Sequence, residues 1–291
     1  MFTGFTKETS SAGVTYVRAG AGQPVLLLHG FPQTHAAWHR VAPRLSRQFT
    51  VIAADLPGYG GSRPPAGGYG KREVGRMLVR FMRELGFERF AVIGHDRGAR
   101  VAYRMALDDA DAISHLGVLD IVPTLDMAQA MSYRLALEMA NWFVLAQPAP
   151  FPETLLTDSY VNHVLDAWAG KTEVITDEAR AAYTAQFGSA AVRHAVCEDY
   201  RAAAGADVEH DRADRAAGRR IECPVLALWS ARDIAAQYFE PLAVWRRWAG
   251  EVHGRALDCG HFLMEEAPDA VAGAIEALLA RASATAERSL S

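Results

Sequence analysis

Short runs of aliphatic and β-branched residues alternate with helical patterns from the N-terminus to about Asp120. The runs Val14–Arg18, Val25–Leu28, Thr50–Ala53, Phe90–Ile93 and Leu116–Leu119 predict strands. Within Lys71–Leu85, residues Val74, Met77, Leu78, Phe81 and Leu85 recur at spacings of three and four, which predicts a helix with one apolar face against a sheet. Such alternation is the signature of a mostly parallel sheet with crossover helices. After Pro123 it stops. Residues 124–215 carry helical periodicity, many alanines and aromatics, a Gln-Pro-Ala-Pro-Phe-Pro breaker at Gln147–Pro152, and no strand pattern. Alternation resumes with a strand at Val225–Trp229, a helix at Pro241–Trp248, a strand at Val252–Leu257 and a closing helix from Pro268 to Ala282, with the tail to Ser291 expected to fray. The chain therefore divides into an α/β core over 1–123, a helical insertion over 124–215 and a second core segment over 216–291. It has no internal repeat.

Composition narrows the class. Half of the 291 residues are hydrophobic and 22% are charged, which excludes a disordered or fibrous chain. The longest apolar runs, such as Val225–Trp229, fall far short of the roughly 18 residues of a membrane span. Thirty basic against thirty-four acidic residues, interspersed, leave no footprint for nucleic acid. The N-terminal segment lacks the basic start, apolar core and cleavage site of a secretory signal, so a cytoplasmic protein is expected. Cys197, Cys223 and Cys259 are odd in number and lack metal-ligand spacing, as expected of reduced packing thiols.

The most informative segment is Phe90-Ala91-Val92-Ile93-Gly94-His95-Asp96-Arg97-Gly98. A strand runs into a turn with glycines two residues either side of Asp96, then into a helix, which would leave that side chain exposed above the strand ends. Read without chemistry, Asp96 is a helix N-cap. Read with it, the segment resembles the nucleophile elbow of the α/β-hydrolase superfamily, with Asp in the place of Ser. A carboxylate attacking an ester would give an anhydride, whereas displacement at a carbon bearing a halide or epoxide oxygen gives an ordinary ester that water can cleave. In that superfamily the loop His29-Gly30-Phe31-Pro32 is similar to the one whose backbone N–H, here of Phe31, joins the N–H after the nucleophile, here of Arg97, as oxyanion hole. Asp55-Leu56-Pro57-Gly58-Tyr59-Gly60 adds a third match in the expected order. The same order makes His261, in Cys259-Gly260-His261-Phe262, the base. Two aspartates occupy places used for its acid partner: Asp120, after Leu116–Leu119, and Asp233, after Val225–Trp229. The closer family match of Leu119–Thr124 favours Asp120, leaving Asp233 as a cap or surface charge.

Arg97 and Arg100 lie three residues apart in the first helical turn after Asp96. Cations there oppose the helix dipole unless an anion is near. Two guanidiniums could hold a substrate carboxylate and offset its repulsion from Asp96. Arg104 extends the stripe but, with Asp108 four residues on, reads as a solvated ion pair.

The segments His29–Pro43, Gly94–Arg104, Leu119–Thr124 and Asn141–Leu156 together resemble the fluoroacetate, or haloacetate, dehalogenases over most of the chain. The resemblance implies an α/β-hydrolase fold with a helical cap domain, and hydrolysis of haloacetate to glycolate through an ester on Asp96. It implies His261 as base with Asp120, carboxylate binding by Arg97 and Arg100, and halide contacts from Trp142 and Tyr200, residues that packing alone would read as core aromatics. It implies no metal or organic cofactor, a small haloacid as partner, and a homodimer. Where the family's fluoride-releasing members typically carry His before that Trp, this chain has Asn141, a third halide contact whose amide donates a hydrogen bond but cannot become cationic, so the resemblance leaves fluoride release open. An epoxide hydrolase is the main alternative, with Tyr133, Tyr160, Tyr183 and Tyr200 as candidate proton donors, although Arg97 and Arg100 would have no task on a neutral epoxide. Haloalkane dehalogenases usually carry Trp after the nucleophile, unlike this chain. A ligand receptor on an inactive scaffold conflicts with the complete Asp96, His261 and acid set.

Overall fold

The aliphatic runs form the middle of one eight-stranded sheet, seen in a computed structural model of the chain that describes residues 1–289. In chain order the strands are β1 (Thr6–Thr9), β2 (Thr15–Ala19), β3 (Pro24–Leu28), β4 (Thr50–Ala54), β5 (Phe90–His95), β6 (Ile113–Leu119), β7 (Val225–Ser230) and β8 (Val252–Leu257). Across the sheet they lie β1-β2-β4-β3-β5-β6-β7-β8. Every pairing from β4 to β8 is parallel, and β2 runs against both of its neighbours. All of β4 and β5 is buried, as is β3 beyond Pro24. Strands covered on both faces read as unbroken apolar runs, which is why these were legible. β1 was not: its Thr-Lys-Glu-Thr sequence is exposed throughout, and it is held at the sheet edge by backbone pairing with β2.

The first long helix, Lys71–Glu84, buries Val74, Met77, Leu78 and Phe81 as its spacing predicts. The helix from Pro241 stops at Arg246, and a further short helix, Ile234–Tyr238, follows β7. The closing helix starts at Pro268 and continues past Ala282 to Ser289; the final two residues of the expected frayed tail lie outside the described residues. No helix among the described residues is long and apolar enough to cross a membrane.

Between β6 and β7 the chain from Thr124 to Ala216 is helical, without a strand among its described residues. Buried ion pairs fasten it to the core. Arg104 departs from the expected solvated pair: it does reach Asp108 at 3.3 Å, but its side chain is 3% exposed and also binds Asp211 (2.6 Å) and Asp214 of helix Ala206–Ala216. The helical stripe it extends points into a core–insertion contact, and there a guanidinium needs carboxylate partners. Lys71 makes a second fastening, pairing with Asp199 and with Asp207 at 3.2 Å.

Candidate active site

The order of strands reverses between β3 and β5, so the loops leaving their C-terminal ends diverge and open a crevice, the usual ligand position in such sheets. Asp96 stands there, between β5 and helix Arg97–Asp108, with φ 43° and ψ −114°. A β-carbon on Gly94 would run into the backbone of Gly98, and one on Gly98 would lie 2.7 Å from the Leu28 carbonyl oxygen. The two glycines let strand, turn and helix pack at this distance. Asp96 does not cap the helix through its side chain. Its Oδ2 instead accepts the Phe31 N–H at 3.0 Å. Of the two expected oxyanion donors, the Phe31 N–H is already bonded to the carboxylate, whereas among the described residues no hydrogen bond joins the Arg97 N–H to it. Burial would raise the Asp96 pKa, but His261, Arg97, His95 and Arg100 together hold it below the usual value, so the carboxylate is ionised.

Adjacent strands supply the remaining titratable groups. Asp120 follows β6, Asp233 follows β7 and His261 follows β8. His261 Nδ1 lies 2.8 Å from Asp120 Oδ2 and 3.1 Å from Asp233 Oδ2. Asp120 also accepts the Ser230 N–H at 2.8 Å, and Asp233 caps the Ile234 N–H at 2.7 Å. The capping expected of Asp233 is present, but it is no remote surface charge: it contacts the same histidine. Burial and the Asp233 charge push the Asp120 carboxyl up to about 7, whereas His261 holds Asp233 low against its own burial. Burial alone would depress His261, yet hydrogen bonds to both carboxylates raise it well above its usual value. Its Nε2 is buried and has no partner among the described residues.

Asp96, Asp120, Asp233 and His261 share a cavity with Arg100, Asn141, Trp142 and Tyr200. The Arg100 guanidinium donates to the Val122 carbonyl oxygen (3.2 Å) and Thr124 Oγ1 (3.0 Å), leaves Nε unpartnered, and makes no ion pair among the described residues. Arg97 differs from the expectation. Its Nε donates to Asp199 Oδ2 at 2.7 Å and its Nη2 to the Asp199 carbonyl at 2.9 Å, so only Nη1 is uncommitted. Both guanidiniums stack on the opposing wall: Arg100 over Trp142 at 4.5 Å, and Arg97 over Tyr200 at 4.3 Å. Asn141 Nδ2 donates to the Tyr200 hydroxyl at 3.3 Å. Burial and the charge of Asp96 raise the Tyr200 pKa well above its usual value, which keeps it a neutral O–H donor.

The alpha/beta hydrolase fold family profile matches residues 23–268, spanning elbow, insertion and histidine. The chain belongs to the α/β-hydrolase family. A fluoroacetate dehalogenase from Burkholderia sp is 37% identical over 97% of this chain and 96% of its own length. A soluble epoxide hydrolase from Corynebacterium sp. (strain C12) is 33% identical over 88% of this chain and 90% of its own. A solved protein of Pseudomonas aeruginosa, provisionally described as an epoxide hydrolase, superposes with a TM-score of 0.92 at 45% identity, covering 96% of each chain. The family likeness to haloacetate dehalogenases thus holds along nearly the whole chain.

This α/β-hydrolase also places at the site residues that the sequence did not single out. Asp199 precedes Tyr200 and is held ionised: burial would raise it, but Arg97 and Lys71 lower it. It also accepts the Tyr59 hydroxyl at 2.9 Å. Trp168, at the end of helix Asp158–Trp168, sets its ring edge-on to His261, 5.3 Å between centroids. Neither residue has a motif around it; partners 102 and 93 positions away in sequence, Arg97 and His261, leave no local pattern.

Proposed function

We propose that this hydrolase cleaves short 2-haloacids, converting haloacetate to glycolate and halide. The observation that carries the reading is the pairing, in one cavity, of an ionised Asp96 with a buried Arg100 that has no carboxylate of its own. The cavity is narrow, ≈ 70 Å³, which favours a substrate of a few heavy atoms. Residues 124–215 serve as the cap that closes it.

Arg100 binds the substrate carboxylate, and the charge of Arg97 behind the cavity wall helps to offset its repulsion from Asp96. Asp96 Oδ2 is anchored on the Phe31 N–H, so Oδ1 is the attacking oxygen. It forms a bond to C2 as the carbon–halogen bond breaks, and the halide leaves with the electron pair towards Asn141, Trp142 and Tyr200. Water then attacks the carbonyl carbon of the Asp96 ester and gives its proton to His261 Nε2. The oxyanion forms on Oδ2, at the Phe31 donor already in place. Collapse expels the glycolate oxygen, which takes the proton from His261. Asp120 orients His261 and stabilises the imidazolium.

The epoxide alternative asks for two phenol donors in the cavity. Of its four candidates, Tyr133 is 84% exposed, Tyr183 is bonded to Glu265 and Tyr160 is not in the cavity wall, which leaves Tyr200. Single turnover of chloroacetate in water enriched in heavy oxygen tests the mechanism. Label is expected in Asp96, with the first glycolate unlabelled, and an added carboxymethyl mass on the Asp96 peptide in His261→Gln. Label passing directly into glycolate overturns it.

A further inference from the structure

The loop that carries His261 is tied to the helical insertion by backbone contacts. Gly170, just past helix Asp158–Trp168, abuts Gly260. A β-carbon on Gly170 would lie 2.6 Å from the Gly260 nitrogen and 2.7 Å from Glu266 Oε2; one on Gly260 would run into the Gly170 nitrogen. Two peptide N–H groups brought this close present like partial charges to each other and need a shared acceptor. Glu266 supplies it: its Oε2 accepts the Gly170 N–H at 2.9 Å and the Gly260 N–H at 2.8 Å. Its Oε1 accepts the Phe262 N–H at 3.1 Å. One carboxylate therefore holds the residues on both sides of His261 and the tip of the insertion together.

The remaining backbone groups of His261 are tied as well. Its N–H donates to the Trp168 carbonyl at 2.9 Å, a second tie to the insertion, and its carbonyl lies 2.7 Å from His95 Nε2. The imidazole is gripped at Nδ1 by Asp120 and Asp233 and flanked by the Trp168 ring. With the ring so held, its unpartnered Nε2 depends for direction on where the loop sits.

We propose that Glu266 is a positioning residue that locks the His261 loop to the seated insertion, so that Nε2 addresses the Asp96 ester only when the cavity is closed. The proposal rests on the haloacid reading above. Displacement of halide uses Asp96, the arginines and the halide donors, whereas ester hydrolysis needs His261. Glu266 therefore acts on the second step and spares the first. In Glu266→Gln one oxygen becomes an NH₂ that cannot accept, so at least one of the three N–H groups loses its partner whichever way the amide turns.

Rapid-quench measurements with chloroacetate follow halide and glycolate separately in wild type, Glu266→Gln and Gly170→Ala, the last disturbing the contact from the insertion side. Expected for both variants is a halide burst of wild-type amplitude and rate followed by glycolate release slowed roughly 10-fold or more, the loss of a charge-assisted hydrogen bond. A general loss of structure would slow both steps together; that result, or no slowing of either, overturns the proposal. A second readout needs no substrate: the downfield Nδ1 proton resonance of His261, identified by its loss in His261→Gln, is expected to shift or broaden in both variants. If His261→Gln traps no ester from chloroacetate, the haloacid reading falls, and the resonance alone decides. An unmoved resonance in both variants then overturns the role of Glu266.

Discussion

Asp233 Oδ2 stands 3.1 Å from Nδ1 of His261, the nitrogen that Asp120 Oδ2 reaches at 2.8 Å. A single N–H cannot fully satisfy two carboxylates, and two like charges this close, Asp120 buried and Asp233 half-buried, favour retention of a proton by the group. The imidazole is held charged, with its pKa well above the usual value, and burial and the Asp233 charge raise the Asp120 carboxyl. To take a proton from water, His261 must first lose one.

Ester hydrolysis should therefore rise with pH beyond the ordinary histidine range. Replacing Asp233 by Asn removes one of the charges that raise His261, so the acid limb should move to lower pH. Single-turnover glycolate release across pH measures it; an unmoved limb, or one moved upward, denies Asp233 this influence.

The two acids should differ in the rate they support. Asp120→Asn loses the shorter contact and the more buried charge, and is expected to slow hydrolysis on the order of 100-fold or more, as loss of a triad acid does. Asp233→Asn should slow it much less at its own optimum. A reversed ranking would make Asp233 the acid of the triad.

Arg100 and Arg97 should fail in different ways. Arg100→Ala is expected to lower kcat/KM for chloroacetate roughly 10- to 150-fold, the worth of a charged hydrogen bond, with a modest effect on folding. Arg97→Ala strips Asp199 of a buried partner, and breaking such a pair costs about 3–5 kcal/mol, so its main signature should be a lower Tm. Unchanged kinetics in a folded Arg100→Ala protein would remove the support for a carboxylate substrate.

On the proposed reading, Asn141 is the residue that sets the halide choice. Fluoride is small, strongly hydrated and a poor leaving group, so donor charge matters most for it. Chloroacetate and bromoacetate are expected to turn over faster than fluoroacetate. Asn141→His should raise the fluoroacetate-to-chloroacetate ratio of kcat by up to roughly 10-fold, the value of making one donor charge-assisted. A wild-type preference for fluoroacetate would place the selectivity elsewhere in the cavity.

Glu265 offers a test of stability that is separate from turnover. Fully buried, it is bonded by Gln33 Nε2 at 2.7 Å and Tyr183 at 3.1 Å, and burial lifts its pKa from 4.5 to about 8. The folded state thus holds a proton that the unfolded state releases near 4.5. This contribution is complete below about 4.5 and is lost as the pH rises towards about 8. Glu265→Gln, which cannot ionise, should flatten the fall in Tm between pH 5 and pH 8, as calorimetry would show; an equal slope in both proteins would mean that Glu265 titrates normally.

The elbow was legible from the amino-acid sequence because its constraint is local: Gly94 and Gly98 are required by backbones only a few residues apart, or in a neighbouring strand that the same pattern reveals. The central strands were legible because burial on both faces demands continuous apolar runs, and β1 was hidden because its exposed polar residues are held by backbone pairing and a few polar side-chain contacts rather than by apolar burial. The choice between Asp120 and Asp233 was different. Each follows a strand, and the pairing of Leu119 with Leu228 brings the two strand ends side by side, so both carboxylates reach His261. The partners of Arg97 and Arg104 were equally beyond reach, since Asp199, Asp211 and Asp214 come from helices about a hundred residues away. Charge on a helical stripe announces that a partner is needed, but whether that partner is solvent, substrate or another carboxylate depends on what the tertiary structure lays against it.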